Sequence, residues 1–350
     1  MAEPSGDRKG SVMIRDLEEI PHYEKGVSLP LFDIDYQSEF EKTWGAKWGS
    51  MSSTGRLRKV LVHRPGEEAV HPILTKDPAF FNLPEGLTDL KKMQTQHDNL
   101  VSVMKNEGVD VVYLNPSGPL TGTYGVPLRS ACYAHEALVI KGGAIIERPA
   151  CAYKKGYEVY LAKRLVELGC PILGTVRGNG AFEASNLIWL DPEHVVLAIS
   201  VRTNREGIDQ VIPYLKEAGV QDIHVSHLPG YLWSRTWQVG GASGYFHLDM
   251  TFGIAADGLG VIYPGGVGYD TIQFLLDHDI NLIEVSEKEL RNDATNVLPL
   301  APGKVVIPSG SPETSKALRE EGVDILEVDL SEFVKGGGGP TCMTLPLIRD

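Results

Sequence analysis

The stretch "FEASNLIWLDPEHVVLAIS", residues 182–200, reads as two apolar strands joined by a turn at Asp191–Pro192. An amphipathic helix over "REGIDQVIPYLKEAG" (205–219) and a third strand, "VQDIHVSHL" (220–228), follow it. Short β-rich runs bounded by turn residues mark strands, and apolar positions at 3.6-residue spacing mark the helix. Working outward, the same order recurs. Upstream come "YAHEALVIKGGAIIERP" (133–149), the helix "GYEVYLAKRLVELG" (156–169) and "CPILG" (170–174). Downstream come "FHLDMTFGIAADGLGVIYP" (246–264), "YDTIQFLLDHD" (269–279) and "INLIEVS" (280–286), then "TNVLPLAPGKVVIPSG" (295–310), "ETSKALREEG" (313–322) and "VDILEVDL" (323–330). A first unit runs through "LRKVLVHRP" (57–65), "QTQHDNLVSVMKNEG" (94–108) and "VDVVYL" (109–114). In the helices, Leu318 should face inward, and Ile272, Leu275 and Leu276 should share one face. Five copies at a spacing of roughly 45 residues point to a radial repeat in which no copy buries its core alone. The alternative is a mixed α/β sandwich with accidental repeats. Residues 1–55 show no such period and read as an arm packed on a single body spanning 56–350.

Bulk properties narrow the function. The net charge is -13, without any Lys/Arg block, which argues against a nucleic-acid partner. No apolar run approaches the roughly 20 residues of a membrane span. The stretch "MAEPSGDRKGSVMIRDLEEI" lacks the apolar core of a secretory signal. Cys132, Cys151, Cys170 and Cys342 form no close pair, so neither a disulfide framework nor a zinc knuckle is expected, and the expected setting is the reducing cytoplasm.

In a radial repeat, equivalent ends of successive units converge on the axis. The first strands of three units carry His135 and Glu136, then Glu183 and Asn186, then His247 and Asp249, all among apolar neighbours. An unpaired carboxylate is costly in such a setting. On a strand, His247 and Asp249 would share a face, with Leu248 turned to the core. The glycine run of "GGGGPTCMTLPLIRD" (336–350) leads to Cys342 and reads as a terminal loop folded over the axis. Taken singly, each residue has a structural reading as core or interface. Jointly they supply a thiol nucleophile, an imidazole acid/base and carboxylates suited to the N–H forks of a guanidinium.

With "RKVLVHRPGEE", "FEASN", "VRTN", "FHLDMTF" and the cysteine-bearing stretch in this order, the chain resembles the guanidino-group-modifying (pentein) superfamily. That superfamily holds arginine deiminases, dimethylarginine dimethylaminohydrolases and amidinotransferases. The resemblance implies a five-bladed α/β propeller of ββαβ-type repeats around a pseudo-fivefold axis. It implies Cys342 as nucleophile, His247 as general acid/base, Glu183 as its acidic partner and Asp249 as a supporting or substrate-binding aspartate. Glu136 falls where the family grips the guanidinium, and a one-residue shift would put His135 there. Arg202 matches an arginine that deiminases use near the substrate carboxylate, and either Arg202 or a lysine of "YKKGYE" (Lys154 or Lys155) is expected to hold such a group. Asn186 is expected at the substrate where an aspartate is usual, and Thr341 stands in place of an arginine.

The expected activity is hydrolysis of a C–N bond in a guanidino or amidino compound, arginine or a derivative, through a covalent thiouronium. Amidino transfer to an amine is the alternative; a metallohydrolase and a non-catalytic propeller scaffold stand further off. The expected partner is a small guanidino molecule, without nucleic acid, membrane, metal or cofactor, and homo-oligomer formation is left open.

Overall fold

The computed structural model describes residues 15–83, 86–230 and 245–350; the first fourteen residues of the arm, including most of the stretch inspected for a leader, lie outside them. Among the described residues, fifteen strands form five sheets of three. They are β1 Leu57–Val62, β2 Asp110–Tyr113, β3 Ala137–Ile140, β4 Gly143–Ile146 and β5 Ile172–Thr175. Then come β6 Leu187–Trp189, β7 His194–Ile199, β8 Asp222–His227, β9 Phe252–Ala256 and β10 Leu259–Ile262. The series ends with β11 Asn281–Glu284, β12 Leu298–Ala301, β13 Lys304–Pro308, β14 Asp324–Val328 and β15 Leu345–Arg349.

Four blades take consecutive strands: β3–β4–β5, β6–β7–β8, β9–β10–β11 and β12–β13–β14. Each starts with an antiparallel hairpin, then crosses over through a helix to a parallel outer strand, as in β6–β7 and β7–β8. A parallel neighbour requires such a crossover. The fifth blade is assembled from both ends of the body: β15 pairs antiparallel with β1, which pairs parallel with β2. The architecture is a five-bladed α/β propeller, closed where β1 meets its late partner.

Apolar side chains fill the gaps between blades. Leu61 and Leu345 share a core with Val139 and Leu161, while Val60 and Val62 share one with Leu300 and Val306. Hairpin strands such as β4 and β12 are buried on both faces, whereas outer strands such as β11 have exposed positions. Leu318 and Leu275 are buried as the helical spacing requires, but Leu276 is exposed. Before β1, the helix Tyr36–Trp44 begins at Asp35, whose carboxylate accepts the Gln37 and Ser38 N–H groups, and stops at Gly45 in the left-handed region. Phe40 and Trp48 enter the core between the first two blades, and Ser50 N–H donates to Val139 O at 2.9 Å.

The approaches to the inner strands decide where function sits. Glu136 precedes β3, Glu183–Asn186 precede β6, His247–Asp249 precede β9, Asn296 precedes β12 and Cys342 precedes β15. These approaches are not strands. Ala184–Asn186 and Leu248–Met250 are single 3-10 turns, the second closed by Thr251 N–H donating to Leu248 O at 2.9 Å. The expectation that His247 and Asp249 share a strand face is therefore corrected: the turn sends the two side chains to different partners.

Candidate active site

Cys342, His247, Glu136, His135, Lys154 and Arg202 line one pocket on the axis, with Arg129, Tyr133 and Tyr153 completing its wall. Glu183 lies directly behind His247 and Lys154. Its Oε2 is 2.7 Å from His247 Nε2, 2.8 Å from Lys154 Nζ and 3.6 Å from an Arg202 guanidinium nitrogen. Its Oε1 accepts the Ala150 N–H at 3.2 Å. Burial alone would push this carboxyl up, but Lys154, Arg202 and His247 outweigh it and hold it well below the usual range. Burial pulls His247 below its ordinary value, and Glu183 restores part of the loss.

Lys154 bridges two carboxylates, with Nζ also 2.9 Å from Glu136 Oε1. The Glu136 contact is an ion pair without hydrogen-bond direction, since neither Glu136 oxygen has an aligned donor among the described residues. Burial raises Glu136 to about 7 against the pull of Lys154. Burial would lower Lys154, yet Glu136, Glu183 and Glu147 hold it well above the usual lysine range. Arg202 stacks on the Phe246 ring with its guanidinium carbon 3.8 Å from the centroid and donates to Tyr153 Oη at 2.8 Å. Lys154 thus stands between carboxylates and not toward a substrate carboxylate, whereas Lys155 donates to Pro149 O at 2.7 Å.

The thiol side differs in kind. Cys342 Sγ accepts from Asn296 Nδ2 at 3.2 Å and donates to Asp249 Oδ2 at 3.3 Å. Asn296 Nδ2 also reaches Asp249 Oδ2 at 3.0 Å, and its Oδ1 accepts the Thr341 N–H at 3.0 Å. Burial first, then Asp249 and Asp293, push the Cys342 thiol well above its ordinary value. Asp293, in the left-handed region at φ 54°, is itself raised by burial and by Asp249 to about 8. The glycine run is packed in place beside Cys342. A Cβ at Gly338 would strike the Tyr133 ring, and one at Gly339 would sit 2.7 Å from Asn296 Oδ1.

The remaining expected residues divide. His135 lines the pocket, its N–H donates to Cys342 O at 3.1 Å, and burial lowers its ring to about 4; the acid beside the pocket lysine is Glu136. Asn186 does not line the pocket. Its Nδ2 donates to Thr203 Oγ1 and Phe246 O, and its Oδ1 accepts the Leu248 N–H, so it clamps the approaches to β6 and β9 together. Asn296 and Arg129 are the residues that sequence reasoning missed. Asn296 stands at the place equivalent to Glu183 and His247, so the repeat rule locates it; Arg129 carries no such signal. Among the described residues no three His, Cys, Asp or Glu side chains converge as metal ligands would. No helix among them is long and apolar enough to cross a membrane. A second pocket is bounded largely by apolar residues such as Val139, Leu187 and Phe252, with Asp249 and Asn296 also lining it. The thiol and the imidazole face the other pocket, which is therefore the candidate site.

Residues 269–349 match the arginine deiminase family model. The chain is 26% identical to the 2-nitroimidazole nitrohydrolase of Mycobacterium sp. over 95% of its own length and 92% of that protein's. It is 27% identical to the dimethylarginine dimethylaminohydrolase of Pseudomonas aeruginosa, over 78% and 98% respectively. Among solved structures, an amidinotransferase of saxitoxin biosynthesis from Microseira wollei superposes with a TM-score of 0.67 at 17% identity, covering 87% of this chain and 98% of that one. A likeness at that identity bears on the fold alone.

Proposed function

We propose, on the premise that this chain belongs to the guanidino-group-modifying (pentein) superfamily, that it is a cysteine hydrolase cleaving a C–N bond at an amidine carbon. The observation that supports this most is one pocket wall carrying the Cys342 thiol together with an imidazole whose Nε2 is held by a buried carboxylate at 2.7 Å. A base oriented by a third group, beside a nucleophile, is the general arrangement for covalent catalysis.

Cys342 Sγ attacks the amidine carbon; the S–C bond forms, the C–N bond breaks, and the thiol proton reaches the leaving nitrogen by way of His247. His247 is turned by Glu183 so that Nδ1 is the ring nitrogen left for this transfer. Asn296 Nδ2 and Asp249 Oδ2 hold the sulfur in position. Water then gives a proton to His247 as its oxygen bonds to carbon; the S–C bond breaks and the thiolate takes the proton back. An amine in place of water would make the same intermediate an amidino transfer.

The test screens guanidino, amidino and 2-substituted imidazole compounds, including 2-nitroimidazole, while ammonia, alkylamine, nitrite and ureido products are measured separately. Acid-quenched mass spectrometry should find a covalent adduct on Cys342 during turnover, and Cys342→Ser should abolish both adduct and product. Turnover that survives in Cys342→Ser would overturn the thiol mechanism.

A further inference from the structure

Lys154 fills the seat that two carboxylates would otherwise offer a cation. Its Nζ lies 2.9 Å from Glu136 and 2.8 Å from Glu183, and the side chain is 6% exposed. The turn that carries it is fixed, with Lys154 N–H donating to Cys151 O at 3.0 Å and Tyr157 N–H donating to Lys154 O at 3.2 Å. Tyr153 beside it is buried against Phe81, with ring centroids 6.3 Å apart. Arg202 adds a second cation to Glu183.

Arg129 adds a third positive charge to the wall. Its guanidinium donates to the Phe81 and Asn82 carbonyls and to Tyr133 Oη, and it has no carboxylate partner among the described residues. Glu136, Glu183 and the buried Glu147 are therefore already matched in number by Lys154, Arg202 and Arg129 before any substrate arrives. A protonated guanidinium would have to expel the ammonium or stand beside it, and like charges in a poorly solvated site repel strongly.

We propose that this pocket selects compounds whose amidine carbon belongs to an uncharged group: a guanidine or cyclic amidine whose basicity an electron-withdrawing substituent has removed. This deepens the thiol reading above and rests on it. An uncharged C=N keeps a nitrogen lone pair, which a guanidinium lacks. As the S–C bond forms, the thiol proton passes to that nitrogen and the substituent departs with its bonding pair. Water next forms the C–O bond while the C–S bond breaks. The net change is uptake of one water, release of the protonated substituent and formation of a urea-type carbonyl, with no oxidant or reductant.

The experiment measures binding by titration calorimetry on the full chain carrying Cys342→Ser, which prevents adduct formation. The probes are matched pairs, arginine with Nω-nitroarginine and agmatine with its N-nitro derivative, which differ in whether the guanidine is protonated. The nitro member should bind at least about tenfold tighter, the order of one charge-assisted contact. Adding Lys154→Met should reverse or erase that ratio by admitting the cation, while Lys154→Arg, which keeps the charge, should preserve it. Tighter binding of the protonated members, no binding of either, or a ratio unchanged in a folded Lys154→Met protein would each overturn the proposal. Adduct formation in the unmodified enzyme is scored separately. Adducts from protonated guanidines would sink the selection and spare the thiol chemistry; neutral-selective binding without any adduct would do the reverse.

Discussion

The two sides of the pocket satisfy their polar groups in opposite ways. On one, Glu183, Glu136, Lys154, Arg202 and His247 hold one another at ion-pair or hydrogen-bond distance. On the other, Cys342, Asn296, Asp249 and Asp293 form a sparse set in which Asp249 Oδ1 and Asp293 Oδ2 have no partner among the described residues. The charged side is stabilised by its own counter-charges, so it is rigid and costly to edit. The thiol side avoids charge by keeping protons on sulfur and on Asp293, so it is cheaper to edit but sensitive to pH. A pocket divided in this way pairs an electrostatic frame of fixed charges with a thiol that burial keeps uncharged.

The largest effect should come from breaking the charged side. Glu183→Gln leaves Lys154 and Arg202 short of a counter-charge, and breaking a buried pair costs about 3–5 kcal/mol. Melting should fall by about 5–10 °C at pH 7. Because the folded-state pKa of Glu183 is depressed, its contribution is present above the ordinary carboxylate range and lost as pH falls through the folded value. The gap between parent and variant should therefore narrow in acid. A melting change under 1 °C would show that the cations tolerate the loss and that the two sides do not differ as described.

On the thiol side, Asn296→Ala removes the donor to Cys342 Sγ and Asp249. Losing one charge-assisted hydrogen bond should lower kcat by about 10- to 150-fold, with a smaller change in melting than Glu183→Gln. Steady-state kinetics with kcat unchanged would remove Asn296 from the reacting set.

A pH-dependent melting test sharpens the same contrast. The carboxyl of Asp293 is raised to about 8 in the folded chain against 3.8 without burial. The folded state then binds the proton more tightly, so stability is full below about pH 4 and is lost as pH rises through about 8. Asn at this position mimics the protonated form and tolerates the left-handed backbone. Asp293→Asn should melt higher than the parent at pH 8, with the two converging near pH 4. Equal melting at both pH values would mean that Asp293 is not held neutral.

The repeat was legible because each blade carries its own strand and helix periodicity, and the candidate site was legible because polar residues recur at matching places in the units. The fifth blade was not legible in the same way: "LPLIR" is short, contains Pro346, and pairs with a strand far away in sequence, for which no local pattern exists. The 3-10 turns after His247 and Glu183 were missed because their residues also suit a strand. Lys154 was assigned to a substrate carboxylate because sequence shows its charge but not that Glu136 and Glu183, from two different blade approaches, meet around it. Asn186 resembles a ligand in sequence, and the contacts that occupy it come from residues brought close only by folding.

The late closure of the ring gives the folding chain a timetable. Arg58 within β1 meets Asp350, just beyond β15, across 292 positions, with Arg58 Nε 2.8 Å from the carboxylate. At about 5–20 residues per second of synthesis, β1 waits roughly 15–60 s for the strand that completes its sheet. Cys342 lies between the packed glycines and that strand, so the sulfur reaches its cradle of Asn296 and Asp249 in the same event that closes the ring. A nascent chain that has not yet reached β15 therefore carries the charged side of the pocket without the Cys342 thiol opposite it.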